Sequence, residues 1–409
     1  MSRPIVVMKF GGSSVRDAER LKNAAARVVE TQKEGNRVVV VVSAPGDMTD
    51  DLIERANGIT SEPDGREMDM LLATGEQISI ALLCMAIKTH GLDAISLTGP
   101  QAGIRADAVH TKARITSIRP TKLLAELNKG RVVVVAGFQG LNPNEDIVTL
   151  GRGGSDLTAV ALAAALKSDV CEIFTDVLGV YTTDPRIVPE AQKIAQISYD
   201  EMLELAGSGA QVMQARSIEV AKKYGVKIHV RSSLEKKKGT LIENDNGNME
   251  APVVSGIAFD KNEAKLSIVE VPDQPGVAAA IFGALAENSI NVDMIIQSSA
   301  QDGTNDISFT VSRPDLKRAL TILEAVKNKL KAKAVVSDES VAKVSIVGVG
   351  MKSHPGVAAK MFATMAEAGI NIEMISTSEI KVACVIREAD GTKAVKLLHK
   401  VFGLGKSKR

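Results

Sequence analysis

The apolar positions follow two alternating patterns from the start of the chain to about residue 245. Short runs of β-branched residues recur, and longer Ala/Leu-rich stretches with helical spacing stand between them. This alternation predicts an α/β fold in which a mostly parallel sheet is sandwiched by helices. Strands are predicted over 5–10, 37–42, 131–136 and 170–174, and helices over 17–33, 76–90 and 155–166. Functional residues should then follow the carboxyl ends of the strands.

The last third of the chain contains an internal repeat. Residues 236–250 are polar and loop-like, which indicates a domain boundary. Beyond them P-G-V-A-A at 275–279 returns at 355–359, an offset of 80 residues, and three further pairs share that offset. The sequence of each copy predicts a strand, a Pro-Gly turn, a helix and another strand. A small α+β unit is therefore used twice, either as a ligand-binding pair or as a duplication without a ligand. The predicted domains are 1–245, 264–335 and 340–409.

The amino-acid composition argues against several classes of function. A formal charge of +1, no Trp, three Tyr and eight Phe argue against nucleic acid or membrane partners. The apolar runs at 38–42 and 159–166 are too short to span a bilayer. Three widely spaced cysteines fit a reducing cytoplasm, and five histidines without ligand spacing predict no metal site.

The most informative segment is V-M-K-F-G-G-S-S-V, from Val7 to Val15. Gly11 and Gly12 let the backbone N–H groups face an anion, and Lys9 adds positive charge. Ser13 and Ser14 are expected to cap a helix that starts near Arg16. These features predict a phosphate-binding loop, although an ordinary strand–turn–helix with a chance lysine would look the same.

Three further turns carry candidate chemistry. G-R-G-G-S-D at 151–156 precedes an Ala-rich helix, with Ser155 as its expected N-cap and Arg152 suited to a carboxylate. Glu76 is expected in the first turn of a helix, where the dipole stabilises a carboxylate, or as a ligand for a substrate ammonium. Ser43 to Asp47 forms a polar turn after the second predicted strand. Each turn also has an ordinary structural interpretation, but two anion-binding turns in one α/β domain favour a nucleotide phosphotransferase.

Taken together, the segments resemble the aspartokinases of the amino-acid kinase family over essentially the whole chain. The resemblance rests on K-F-G-G-S-S-V, T-G-E at 74–76, G-F-Q-G at 137–140, T-L-G-R-G-G-S-D at 149–156, F-T-D-V-L-G-V-Y-T-T-D-P-R at 174–186 and S-H-P-G-V at 353–357. It implies the amino-acid kinase fold followed by two ferredoxin-like ACT domains. The strand-like 253–260 is expected to pair with the second ACT domain.

The resemblance implies a reaction and a set of site residues. The reaction is phosphoryl transfer from Mg-ATP to the β-carboxylate of L-aspartate, with Mg²⁺ held mainly through the phosphates. The implied catalytic residues are Lys9, Glu76, Arg152 and Asp156. The implied ATP-binding residues are Lys9, Phe10, Gly11, Gly12, Ser13, Ser43, Ser155, Thr175, Asp176, Tyr181, Asp184, Arg186 and Gln211. The implied substrate-binding residues are Asp47, Met48, Thr49, Asp50, Asp51, Glu76, Arg152, Gly153, Gly154 and Ser155.

The chain departs from the family pattern at two positions, Leu178 and Gln211. Family members commonly carry Asp at the first, and they often carry Lys at the second, near the ATP phosphates. Both changes bear on ATP affinity, and Arg186 is expected to compensate for the lost lysine. Neither change touches Lys9, Glu76 or Arg152, so an active enzyme is expected.

The ACT pair implies feedback regulation by lysine, threonine or both, and a homo-oligomer formed through these domains. Met249 resembles an internal start from which some relatives make a separate regulatory subunit. The implied effector-binding residues are Asp273, Gln274, Pro275, Gly276, Val277, Ala278, Asn291, Val292, Asp293, Gln297, Ile370, Asn371 and Ile372.

Two rival functions stay open at this point. The first is another kinase of the same fold, acting on acetylglutamate, glutamate or UMP. The tandem ACT pair and the Lys9 loop argue against it. The second is a catalytically weak amino-acid sensor, which only Leu178 and Gln211 support.

Overall fold

The computed structural model describes residues 3–210, 212–244, 253–299 and 303–405, and the chain divides into two units. The first unit takes the residues up to Val180 together with 193–203 and 211–248. The second takes Tyr181–Gln192, Glu204–Ala210 and the residues from Met249 onward. The predicted Met249 start and Gln211 lie outside the described residues.

The first unit is built on a large, mostly parallel sheet, which confirms the predicted α/β fold. Its strands are β1 (Ile5–Phe10), β2 (Arg37–Val42), β3 (Ala94–Leu97), β4 (Ile104–Ala106), β5 (Ile115–Ile118), β6 (Val132–Ala136), β7 (Gln139–Leu141), β8 (Ile147–Thr149), β9 (Val170–Thr175), β10 (Gln196–Ser198), β11 (Ile228–Ser232) and β12 (Thr240–Glu243). The main sheet has the order β10-β12-β11-β9-β1-β2-β6-β3, in which only β11 and β12 pair antiparallel. A smaller sheet has the order β5-β4-β7-β8.

Within the part of the chain that the structure describes, seven helices accompany these strands. They are α1 (Ala18–Lys33), α2 (Met48–Asn57), α3 (Gly65–Lys88), α4 (Thr121–Asn128), α5 (Gly154–Leu166), α6 (Tyr199–Gly207) and α7 (Ala215–Tyr224). The valines of β2 are buried on both faces of the sheet, as expected where helices cover both sides. Because β1, β2, β6 and β9 run parallel, their carboxyl ends share one edge of the sheet.

Three helix starts differ from the prediction. Gly12–Ser14 forms a short 3₁₀ turn, and α1 begins only at Ala18, where the Asp17 carboxylate accepts the Arg20 N–H. The expected capping of this helix by Ser13 and Ser14 is therefore wrong. Likewise α3 begins at Gly65 rather than at residue 76, and Gly153 rather than Ser155 caps α5. Several neighbouring polar residues can cap the same helix. The sequence therefore predicted where the helices lie more accurately than it predicted their first residues.

The helix α3 is long and apolar enough to cross a membrane, and no other described helix meets that test. Half of its most apolar window is buried within the structure, and it packs against α1 and the main sheet. It also carries two buried carboxylates, Asp69 and Glu76. Burial inside the first unit accounts for its apolar composition without a bilayer.

The second unit contains the repeat as two four-stranded sheets. Its elements are β13 (Gly256–Asp260), β14 (Glu263–Pro272), α8 (Val277–Glu287), β15 (Ile295–Ser299), β16 (Thr304–Ser312), α9 (Leu316–Leu330), β17 (Ala334–Asp338), β18 (Val341–Val347), α10 (Val357–Glu367), β19 (Ile372–Thr377), β20 (Lys381–Arg387) and α11 (Glu388–Val401). The sheet orders are β15-β16-β14-β17 and β13-β18-β20-β19. In the second repeat, β13 takes the place that β17 occupies in the first, so the two repeats are interleaved along the chain.

The segment Tyr181–Gln192 is packed into the second repeat. Val188 joins the core beneath the β13-β18-β20-β19 sheet. The Thr182 carbonyl accepts the Ile257 N–H at 2.7 Å, and its Oγ1 lies 3.0 Å from Nε2 of His399 in α11. Contacts with the second repeat therefore hold this segment in place.

Candidate active site

Lys9 is the penultimate residue of β1, and its side chain turns toward α5. Its Nζ lies 2.6 Å from Oδ1 of Asp156 in the first turn of α5, and the two side chains are only 12% and 9% exposed. The next residue, Phe10, stacks its ring on Phe174 at 4.7 Å within the core on the α1 side. A sheltered ion pair keeps more of its Coulomb energy than a surface pair. The ammonium is thus held at the start of the glycine loop.

The loops that follow β1 and β2 run side by side. Gly46 N–H donates to the Gly12 carbonyl at 3.0 Å, and Ser43 N–H donates to the Phe10 carbonyl at 3.2 Å. A Cβ on Gly12 would lie 2.7 Å from the carbonyl oxygen of Ala44, closer than any side chain tolerates. The glycine is therefore required by the close approach of two backbones.

Glu76 lies in the middle of α3, so the prediction that a helix dipole stabilises it is wrong. Its side chain is buried, and Oε1 accepts the Ala44 N–H at 3.0 Å. Oε2 is buried without a hydrogen-bond partner among the described residues. Burial raises the pKa of this carboxyl group to about 7. A buried acceptor with an open lone pair suits a cationic ligand such as an ammonium group.

The turn before α5 depends on two glycines in the left-handed region. Gly151 has a φ of 80°, and Gly153, at the N-cap, has a φ of 75°. Ser155 is in the first turn of α5 and packs on Gly137, where a Cβ would lie 2.6 Å from the serine Oγ. The turn thereby brings the first N–H groups of α5 to the end of β6, in the orientation that favours anions.

Arg152 projects from this turn into solvent. Its side chain is 87% exposed, and Nη2 lies 2.9 Å from Oδ1 of Asp50 in the first turn of α2. Because exposed ion pairs contribute little, the guanidinium can exchange Asp50 for a ligand carboxylate at small cost. The other predicted substrate residues of this region lie at the start of α2. They are Asp47, Met48, Thr49 and Asp51.

The predicted nucleotide residues are distributed over both units. Thr175 ends β9, and its Oγ1 donates to the neighbouring Asp176 carboxylate at 3.1 Å. Tyr181, Asp184 and Arg186 belong to the second unit, where Arg186 pairs with Asp184 at 2.7 Å. The part that these three residues play in binding ATP stays a prediction.

The structure brings most of the first-unit candidates to one edge of the main sheet. Lys9 pairs with Asp156, Gly12 lies against the Ala44 carbonyl, and the Ala44 N–H donates to Glu76. No group of three or more His, Cys, Asp or Glu side chains within the described ranges is placed to hold a metal ion. The site combines an anion-binding loop, a sheltered ammonium and a buried carboxylate, which suits a phosphate next to a zwitterion.

The predicted effector stretches 291–293 and 370–372 lie in equivalent places of the two repeats, whereas 273–278 and Gln297 belong to the first repeat. Asp273 to Gly276 form the turn between β14 and α8, and the Asp273 carboxylate accepts the Asn305 amide at 2.9 Å. The stretch 291–293 precedes β15, which carries the exposed Gln297. The stretch 370–372 leads into β19 in the second repeat. Asp293 pairs with the buried Lys343 of β18, so this carboxylate already joins the two repeats.

Sequence reasoning missed two buried polar residues beside the site. Gln139 is fully buried and donates its amide to the Ala73 carbonyl at 3.0 Å, which ties β7 to α3. Asp69 is also fully buried and accepts hydrogen bonds from three residues. Its spacing of seven residues from Glu76 could have signalled a shared helix face, but only if the helix had been predicted to start before residue 69.

Comparison with known proteins gives a consistent result. A model of the amino acid kinase family matches residues 4–232, and ACT domain models match 266–330 and 344–402. An aspartokinase of Mycolicibacterium smegmatis is 50% identical over 406 residues, which cover 98% of this chain and 96% of that protein. Aspartokinase 2 of Bacillus subtilis (strain 168) is 51% identical over 402 residues, 98% of both chains.

Solved structures agree with these relatives. E. coli aspartokinase III in complex with aspartate and ADP has a TM-score of 0.83 at 26% identity, covering 97% of this chain and 99% of that chain. The same enzyme in complex with lysine and aspartate has a TM-score of 0.73 at 27% identity, with the same coverage.

Proposed function

Because the chain belongs to the aspartokinases of the amino acid kinase family, we propose that it transfers the γ-phosphoryl group of Mg-ATP to the β-carboxylate of L-aspartate. The products are 4-phospho-L-aspartate and ADP. We place this reaction in the cytoplasm, as the first step toward lysine, threonine and methionine. The observation that carries the proposal is the run of contacts from Lys9 through the glycine loop and Ala44 to Oε1 of Glu76, whose Oε2 has no hydrogen-bond partner among the described residues.

In this proposal, different residues of the first unit bind different groups of the substrates. Glu76 receives the ammonium of aspartate, and Arg152 receives its α-carboxylate. These two contacts direct the β-carboxylate toward the glycine loop, where Gly11, Gly12 and Ser13 line the phosphates. Aspartate and ADP are the ligands named for E. coli aspartokinase III, which supports this pairing of substrates.

The proposed chemistry needs positioning more than proton transfer. An oxygen of the β-carboxylate forms the new bond to the γ-phosphorus, and the bond to the bridging oxygen of ADP breaks. A carboxylate is already ionised at neutral pH, so no general base is required. Lys9 neutralises charge that develops on the transferring group, and Asp156 holds its ammonium in place. Mg²⁺, held through the phosphate oxygens, would supply further neutralisation.

We further propose that the ACT pair mediates feedback inhibition by lysine, threonine or both. The open turn at Asp273 and the exposed Gln297 offer a carboxylate and an amide to a free amino acid. Lysine is a ligand named for the E. coli enzyme, which supports an amino-acid effector. The effector would act by binding one of two states of the protein more tightly than the other.

The same repeats would form the interface of a homo-oligomer. Ile295 on β15 and Ile375 on β19 occupy equivalent positions of the repeat and are 52% and 42% exposed. Both strands are outer strands of their sheets. Exposed apolar side chains on free sheet edges favour pairing with a second copy. A shorter subunit that starts at Met249 would contain both repeats.

The test of the proposed reaction is aspartate- and Mg-ATP-dependent formation of an acyl phosphate, trapped as a hydroxamate with hydroxylamine. We expect turnover with aspartate, no turnover with glutamate or acetylglutamate, and suppression by lysine plus threonine. Intact ATP binding without turnover would instead support the amino-acid sensor. Turnover without suppression would leave the kinase and reject these effectors.

Replacing Asp273 or Gln297 with alanine should relieve inhibition without lowering basal activity. Losing one hydrogen bond to a charged ligand costs about 1.5–3 kcal/mol, so the inhibition constant should rise at least about tenfold. The measurement is inhibition of hydroxamate formation over a range of lysine and threonine concentrations. E339A, at an exposed acidic residue of the same unit, is the control, and unchanged inhibition in D273A and Q297A would contradict the assignment.

A further inference from the structure

We propose that Asp69 is a positioning residue for the loop that carries Arg152. Its single carboxylate holds both Thr149, the last residue before this loop, and the neighbouring segment His110–Thr111. The inference rests on the proposed function, in which Arg152 binds the α-carboxylate of aspartate. Asp69 lies in none of the segments that carry the family resemblance.

The Asp69 carboxylate is completely buried and accepts hydrogen bonds from four donors. Oδ1 accepts the Thr149 N–H at 3.0 Å and the Thr149 hydroxyl at 2.5 Å. Both oxygens lie 3.1 Å from the Thr111 N–H. Oδ2 lies 2.7 Å from Nδ1 of His110. A buried carboxylate is costly unless such donors surround it, so these contacts are strongly coupled to one another.

These donors are the residues that fix the Arg152 loop at its origin. Thr149 ends β8 and is followed directly by Leu150, Gly151 and Arg152. A Cβ on Gly151 would lie 3.4 Å from the carbonyl oxygen of Thr111, so the two segments are in contact. The loop therefore starts from a backbone that Asp69 holds on both sides.

A second side chain holds the same two segments from the other direction. Arg216 in α7 donates to the Leu150 carbonyl at 2.8 Å and to the Ala113 carbonyl at 2.9 Å. The Ala113 N–H in turn donates to the Thr149 carbonyl at 2.9 Å. Leu150 is thus held at the start of the loop, and Gln214, next to α7, donates to the carbonyl of the exposed Arg152 at 2.8 Å.

Asp69 and Glu76 lie on the same helix, α3. The two residues are seven apart, which is two helical turns on the same face and about 10 Å along the axis. Glu76 would hold the ammonium of aspartate, and Asp69 fixes the loop whose arginine would hold the α-carboxylate. One rigid helix thus positions both residues that would contact the amino-acid end of the substrate. Misplacing a substrate by about 1 Å can lower the reaction rate strongly.

The test is T149V, which removes one hydroxyl from Asp69, keeps the backbone N–H and preserves the shape of the side chain. We expect the KM for aspartate to rise about fivefold, as one hydrogen bond predicts, while the KM for ATP stays within twofold. T149S keeps the hydroxyl and should restore the KM for aspartate. The stronger variant D69N should raise it further, by at least about tenfold. T31V, which removes a part-buried hydroxyl from α1 of the same unit, is the matched control.

A role confined to stability would give a different result. T149V would then lower the melting temperature with both KM values unchanged, and that outcome overturns the inference. R152Q separates the inference from the proposed function on which it rests. If R152Q leaves the KM for aspartate unchanged, the assignment of Arg152 fails. If R152Q raises this KM but T149V does not, only the role of Asp69 fails.

Discussion

Replacing Lys9 with methionine should lower kcat about 10²–10³-fold, which is the usual loss when one preorganised donor to a developing charge is removed. Methionine preserves most of the length and apolar stem of lysine but brings no positive charge to the glycine loop. The phosphoryl group would then transfer with less charge neutralisation, whereas the Glu76 contact to aspartate would persist. Steady-state hydroxamate kinetics would measure the loss, and K9R would show whether charge without lysine geometry suffices.

The same substitution should also destabilise the protein, and the two effects can be separated. K9M leaves the Asp156 carboxylate in a site where it is only 9% exposed and without its ion-pair partner. Breaking a buried pair from one side costs about 3–5 kcal/mol. The double variant K9M/D156N removes this uncompensated charge, so it should recover most of the free energy of unfolding but none of the activity. Recovery of activity in the double variant would show that Lys9 acts only through folding.

Replacing Glu76 with glutamine should have opposite effects on activity and on stability. The neutral side chain cannot pair with the substrate ammonium, and removal of one member of a buried charge pair costs about 2–5 kcal/mol. We therefore expect kcat/KM for aspartate to fall by at least about 30-fold. The KM for ATP should change little, because the glycine loop stays intact.

The gain in stability follows from the pKa of Glu76, which burial raises from 4.5 to about 7. The folded state favours the protonated carboxyl group, so this group stabilises the fold below pH 4.5 relative to higher pH. That advantage is lost as pH rises through about 7, and at pH 8 folding buries a charge at a cost of about 3 kcal/mol. E76Q avoids this cost. Its free energy of unfolding should exceed that of the unsubstituted protein by about 2–3 kcal/mol at pH 8 and by little near pH 4.5.

Denaturant unfolding across this pH range is the measurement for Glu76, with E34Q at an exposed glutamate as the matched control. The kinetics provide an independent check. As pH falls below about 7, Glu76 of the free protein takes up a proton, so kcat/KM for aspartate should fall about tenfold per pH unit. This dependence should be absent in E76Q. A pH-independent difference in unfolding free energy would contradict a buried Glu76 carboxyl group with a raised pKa.

Much of the second unit could be predicted, because its sequence pattern occurs twice. The 80-residue offset places two copies of the same turn and helix in the sequence, and both copies form sheets of similar order. The α/β alternation similarly predicted the central strands, because a strand buried on both faces leaves a continuous run of β-branched residues. Lys9 and the glycine pair were recognisable because their chemistry is local to one strand and one turn.

What the sequence determined by itself was therefore the local chemistry: the buried strands, the glycine loop with Lys9, the Arg152 turn and the duplication. Tertiary structure decided how those pieces act. Glu76 became a buried carboxylate because α3 begins at Gly65 and because the Ala44 N–H, 32 positions away, donates to it. Asp69 gained its role from donors that lie 41 to 80 positions away. Burial and long-range hydrogen bonds arise only when distant segments pack, so no local pattern encodes them.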